Sequence, residues 1–147
     1  VKTTTTRPRA TGFPGYSETW PCEAPSAARA RSLVRAALQT WGLTCLIDRG
    51  VLAVSELVGN SVQHTNCELV QVNITMPGRH CVRIAVTDTS GKLPRLRFQS
   101  GDDDVSGRGL VLVSSTVDKW GVDVRHKGKT IWVEMMARQT PSNGKAV

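Results

Sequence analysis

The sequence predicts a two-layer α/β sandwich: a mixed, largely antiparallel sheet with helices packed on one face. Three observations lead there. The apolar residues change period along the chain in the order helix, helix, hairpin, loop, helix, hairpin. Two adjacent hairpins cannot build an all-parallel sheet, so the helices must cover a sheet that is antiparallel or mixed. The length of 147 residues suits one domain that buries its own core.

Each element has its own signal. Residues 1–15 are rich in Thr, Pro, Arg and Gly with almost no apolar pattern, and read as a flexible arm; residues 138–147 read as a flexible tail, leaving 16–137 as the domain. Pro25 and Ser26 precede a helical run through Ala28, Leu33, Val34, Ala37, Leu38 and Trp41, and Gly42 stands where a helix C-cap is expected. A second helix is predicted over 47–64, because Ile47, Val51, Val54, Leu57, Val58, Ser61 and Val62 recur at helical spacing. Alternation then marks two strands, one through Leu69, Val70, Val72 and Ile74 and one through Cys81, Val82, Ile84 and Val86, with a turn at Pro77 and Gly78. Residues 89–106 hold no period and read as a long functional loop. A third helix is expected over 109–117, then strands over 120–125 and 130–137 joined at Lys127 and Gly128.

Composition narrows the class. No apolar stretch approaches the roughly 20 residues a membrane span needs, and the first residues carry no apolar signal core, so a cytoplasmic protein is expected. Cys22, Cys45, Cys67 and Cys81 lie at long, unequal spacings without a zinc pattern and are expected to be reduced thiols. Nineteen Lys and Arg against 12 Asp and Glu give a net charge of +7, which admits nucleic acid, an acidic protein or an anionic ligand. One Tyr and two Phe offer few stacking platforms, and no helix-turn-helix or zinc pattern appears, so nucleic acid ranks last.

The second helix has an unusual polar side. At about 100° per residue, Arg49, Glu56, Asn60, Gln63 and His64 share a stripe opposite the apolar set. An ordinary solvated stripe is one reading. Asn, however, is a poor helix former, and Glu56 and Asn60, four residues apart, converge in space. A carboxylate beside an amide oxygen suits a magnesium ion that keeps waters and takes phosphate oxygens as further ligands. Glu56 would then be available as a base.

Two further groups follow. Asp88 leaves a core strand in Val-Thr-Asp-Thr-Ser-Gly, residues 86–91, where a carboxylate can accept a hydrogen bond from an exocyclic amine above an apolar floor; a turn-forming aspartate is the plainer alternative. Gly107-Arg108-Gly109-Leu110 precedes an apolar helical run, and exposed N–H groups at such a terminus hold phosphate, unless the glycines merely cap the helix. Neither a P-loop nor a dinucleotide fingerprint fits this segment.

Taken together, SELVGNSVQHT (55–65), VTDTSG (86–91) and GRGLVLV (107–113), in this order and spacing, resemble the N, G1 and G2 boxes of the GHKL ATPase superfamily, and within it the single-domain bacterial anti-sigma-factor serine/threonine kinases. The resemblance covers about residues 20–137 and implies the Bergerat-type ATP-binding fold, with ATP and Mg2+ as cofactors. It implies Glu56 as general base, Asn60 as magnesium ligand, and Asp88 as the adenine-binding aspartate. It further implies an ATP site including His64, Gly91, Gly107, Arg108, Gly109 and Leu110, with Thr130 holding adenine through water, and 92–106 as a mobile lid. Ser90 and Lys92 stand where the G1 box usually has glycine, which reshapes the purine side of the pocket. The implied activity is phosphorylation of an anti-anti-sigma protein, with a sigma factor as a second partner and homodimerisation admitted, controlling transcription. The alternative is a nucleotide-gated protein-binding module without useful turnover.

Overall fold

The computed structural model describes residues 7–8, 15–64, 67–88, 116–125 and 128–137. Among them, strand β1 (Arg7–Pro8), strand β2 (Gly15–Pro21), helix α1 (Pro25–Thr40), helix α2 (Ile47–His64), and strands β3 (Leu69–Gly78), β4 (Cys81–Asp88), β5 (Lys119–Arg125) and β6 (Gly128–Met136) follow in order, with a short 3-10 turn at Thr44–Leu46. The strands form one sheet in the order β1-β2-β3-β4-β6-β5. Every pairing among the described residues is antiparallel, so the sheet is antiparallel rather than mixed there.

Period-two alternation sets the two faces. Val70, Val72 and Ile74 of β3, Val82, Ile84 and Val86 of β4, and Ile131, Val133 and Met135 of β6 are buried on the inner face, together with Ala30, Val34 and Leu38 of α1 and Val54, Leu57 and Val58 of α2. Both helices lie on this face, as expected of a sheet with one greasy side. α1 carries Pro25 in its first turn, where the missing N–H costs nothing. At its end Gly42, at φ 73°, accepts the left-handed conformation, while Gly42 N–H donates to the Gln39 carbonyl and Leu43 N–H to the Leu38 carbonyl. α2 presses close to α1 at Gly50: a Cβ there would stand 3.0 Å from Val34 Cγ1 and 3.2 Å from Leu38 Cδ1. Arg31 reinforces the pair by donating to Ser55 Oγ at 3.1 Å.

Three expectations are corrected. First, residues 15–21 form a seven-residue strand that the apolar pattern did not mark, running along β3 from Gly15↔Thr75 to Pro21↔Leu69, and Arg7–Pro8, within the stretch 1–15 expected as a flexible arm, pair with it. Only Gly15 and Trp20 of β2 are buried, so the strand has little hydrophobic signal of its own. Second, the hairpin turns at Arg79 and His80, the latter at φ 60°, rather than at Pro77 and Gly78. The register shifts between Thr75 and Gly78, where Pro77 has no N–H for the ladder. Third, Cys22 and Cys67 form a disulfide, with Cα atoms 5.8 Å apart across 45 residues, while Cys45 and Cys81 remain thiols. β2 brings them together: Cys22 N–H donates to the Glu68 carbonyl at 2.9 Å, directly beyond the Pro21↔Leu69 pair. The long loop, its lid role, most of the third helix and the C-terminal tail lie outside the described residues. No helix among those described is long and apolar enough to cross a membrane.

Candidate functional site

The end of β4 meets α2 through a short chain of polar contacts. Asp88 has the same strand parity as Val82, Ile84 and Val86, so its carboxylate is driven onto the inner face, where it is 1% exposed. A charge taken this far from water must be paired and hydrogen-bonded. Ser61 Oγ on α2 donates to Asp88 Oδ2 at 3.1 Å, and Lys129 Nζ on β6 donates to the same oxygen. Lys129 is the direct cross-strand neighbour of Asp88 and is itself 1% exposed. The two form a buried ion pair at the meeting point of β4, β6 and α2.

Along α2, Asn60 precedes Ser61 and is 5% exposed, while Glu56, one turn earlier, is half-buried. Among the described residues, the Asn60 side chain has no hydrogen-bond partner. A buried amide left so is a site that a ligand can satisfy. Glu56 and Asn60 together offer hard oxygen donors one helical turn apart, the chemistry that magnesium accepts when phosphates and water complete its shell. No cluster of three or more His, Cys, Asp or Glu capable of holding a metal by themselves occurs among the described residues.

The site residues expected from the sequence thus divide. Asn60 adjoins Ser61, which bonds Asp88, and Glu56 stands one turn earlier on the same helix. His64 lies in the last turn of α2. Gly91, Gly107, Arg108, Gly109 and Leu110 lie outside the described residues. Arg49, placed on the same helical stripe, is engaged elsewhere: its Nη1 and Nη2 donate to the carbonyls of Thr116 at 3.2 Å and Met136 at 3.1 Å.

Thr130 is not brought to Asp88. It pairs with Thr87, its hydroxyl 2.8 Å from that of Thr87, and both point to the outer face of the sheet. There Thr130 lines a polar cavity of ≈ 340 Å³ with Gln71, Asn73, Thr75, Arg83 and Asp123. The residue that shares the inner face with Asp88 is Lys129, which the sequence reading did not single out. The signal was available in strand parity, since Lys129 stands two residues before Ile131 and in phase with Val133 and Met135.

Residues 21–135 match the family model described as the histidine kinase-like ATPase domain. No curated protein matches the chain. Among solved structures, it is similar to the RsbU and RsbW domains of Rv1364c from Mycobacterium tuberculosis, with a TM-score of 0.64 and 21% identity over 84% of this chain and 32% of that one. It is also similar to the histidine kinase domain of the blue-light activated histidine kinase EL346 from Erythrobacter litoralis, with a TM-score of 0.53 and 14% identity over 80% of this chain and 61% of that one. The chain therefore spans about a third of the first structure and under two thirds of the second, and at these identities the likeness is one of fold.

Proposed function

Because the chain belongs to the histidine kinase-like ATPase domain family, we propose that it is a cytoplasmic ATP-dependent serine/threonine kinase of the anti-sigma-factor type, acting on an anti-anti-sigma partner to control transcription. The observation that carries the reading is the buried Asp88 carboxylate tied through Ser61 to the helix that bears Glu56 and Asn60. Asp88 holds the adenine amine. Asn60 contributes its amide oxygen to Mg2+, and Glu56 faces the hydroxyl of the partner's serine or threonine. Bound Mg2+ supplies charge neutralisation for the phosphates. The hydroxyl oxygen forms its bond to the γ-phosphorus as the bond to the bridging oxygen breaks and ADP leaves, and Glu56 accepts the hydroxyl proton. His64 and the segment containing Gly91, Gly107, Arg108, Gly109 and Leu110 border the nucleotide in this scheme.

The similarity to a structure containing an RsbW domain supports the choice of the anti-sigma type, as does the match of the three sequence boxes. Glu56→Ala tests the chemistry: transfer of labelled phosphate to the partner is expected to fall by about 10²- to 10⁴-fold while Mg-ATP affinity stays within a few fold. Undiminished transfer would remove Glu56 from the role of base. A second reading, a nucleotide-gated binding module without turnover, is favoured by Ser90 and Lys92 at the usual glycine positions. It predicts ATP-dependent partner binding with no phosphate transfer by the wild type.

A further inference from the structure

The Cys22–Cys67 bridge stands at the exit of α2. Cys67 follows closely on His64, where the helix ends, and its Sγ is 3.9 Å from the Ser61 carbonyl oxygen in the final turn. That same Ser61 donates through Oγ to Asp88 Oδ2 at 3.1 Å. Across the bridge, Cys22 is fixed by its surroundings: its N–H donates to the Glu68 carbonyl at 2.9 Å, and Ser26 Oγ donates to the neighbouring Pro21 carbonyl at 2.6 Å. The bridge thus ties the end of α2 to the junction of β2 and α1, at the turn that carries the serine bonded to Asp88. From this placement we propose that Cys22–Cys67 is a redox switch, operated by a dithiol, that governs how firmly the last turn of α2 holds Ser61 against Asp88 and thereby governs nucleotide affinity. Its role in binding presupposes the cytoplasmic, nucleotide-binding reading of the chain given above.

Helices open first at their terminal turns, whose last carbonyls have no donor within the helix. A covalent tie just past the terminus limits that opening. Once the tie is cut, the segment after α2 depends on non-covalent contacts, and β2 supplies few apolar ones, since only its Gly15 and Trp20 are buried. Two features favour a switch over a permanent brace. Both cysteines are half-buried, so a thiolate can reach a bridge sulfur. In the cytoplasm, disulfides are usually transient, catalytic or redox-sensing. The exchange balances without any further reagent: one thiolate of the dithiol attacks a bridge sulfur, the S–S bond breaks, and the other cysteine leaves as a thiolate and takes a proton. The second thiolate of the dithiol then attacks the mixed disulfide and frees the remaining cysteine, which is protonated in turn. Two electrons and two protons pass to Cys22 and Cys67, and the dithiol ends as a disulfide; a small disulfide reverses the sequence.

The test uses the whole ¹⁵N-labelled wild-type chain, oxidised or held in dithiothreitol. Alkylation in denaturant reads the bridge, because Cys45 and Cys81 react in both states and Cys22 and Cys67 only after reduction. Dithiothreitol is expected to open the bridge in the folded protein, and glutathione disulfide to close it again. On opening, the ¹⁵N order parameters of Ser61, Val62 and Gln63 are expected to fall from about 0.85 to below about 0.6, while those of Leu33 and Val34 in α1 stay near 0.85. Calorimetric titration is expected to show Mg-ATP binding about 5- to 100-fold more weakly to the reduced form. Cys22→Ser/Cys67→Ser should match the reduced form and ignore dithiothreitol. The switch is overturned by a bridge that opens only when the protein unfolds, by order parameters that do not move, by equal ATP affinity in the two states, or by a variant that still responds to dithiothreitol. In each of those cases ATP binding itself survives. A folded chain that binds no ATP in either state instead overturns the nucleotide reading, and the switch's hold on affinity with it.

Discussion

A single strand position separates Lys129 from Thr130, and that one residue decides which side chain meets Asp88. Thr130 shares the outer face with Thr87, and Lys129 shares the inner face with the carboxylate. The resemblance to known boxes matched Thr130 by position to a threonine that holds adenine through water. The parity of Ile131, Val133 and Met135 points to the lysine, and parity is the physical constraint. Asp88 was legible as a polar residue ending a core strand, and Asn60 as a poor helix former four residues from Glu56, although Asn60 is 5% exposed rather than on a solvated stripe opposite the apolar set. Glu18, on β2, illustrates how burial acts on charge: desolvation raises its carboxyl above the usual carboxylate range. A raised carboxyl favours the folded state fully at pH values below its unfolded pKa, and this contribution is lost as pH rises through the folded value. Glu18→Gln is therefore expected to be more stable than the wild type at pH 7, with the difference in denaturant midpoint disappearing below about pH 4. A difference that persists or grows on acidification would contradict the assigned cause.

At the scale of elements, α2 organises the site because it serves two tasks at once. Its apolar stripe packs on the sheet through Val54, Leu57 and Val58, while Ser61 and Asn60, at the edge of that stripe, are carried into the interface with it. Both helices could be read from the sequence over nearly their full lengths, since 16 and 18 residues give several repeats of the period. β2 could not, because only Gly15 and Trp20 of its seven residues are buried and its existence depends on β3 offering an edge. The disulfide was hidden for the same reason: Cys22 and Cys67 become neighbours only once β2 lies along β3. Closing a loop between residues 45 apart restricts the unfolded chain, so reduction is expected to lower unfolding free energy by about 2–4 kcal/mol, read as a lower urea midpoint in reductant. The double variant Cys22→Ser/Cys67→Ser should match the reduced protein and be indifferent to reductant. A wild type equally stable in both conditions would remove the bridge from the forces that hold the fold.

For the whole molecule, the division of labour is between two faces of one sheet. The inner face joins the core to a polar end where Asp88, Lys129 and Ser61 meet, and the outer face is polar, with Arg83 bonded to Glu134 at 3.0 Å and lying 4.1 Å from the Trp132 ring centre. The chain belongs to the histidine kinase-like ATPase family over residues 21–135, and the proposed function puts the nucleotide at the polar end of the α2–sheet interface. The direct measurement is calorimetric titration of Mg-ATP into the wild type and into Asp88→Asn/Lys129→Met, which removes the pair without leaving a lone buried charge. The wild type should bind with a Kd on the order of micromolar, about −8 kcal/mol, and the folded double variant should show no measurable heat of binding. Equal binding by both proteins, or none by a folded wild type, would contradict an adenine site at Asp88.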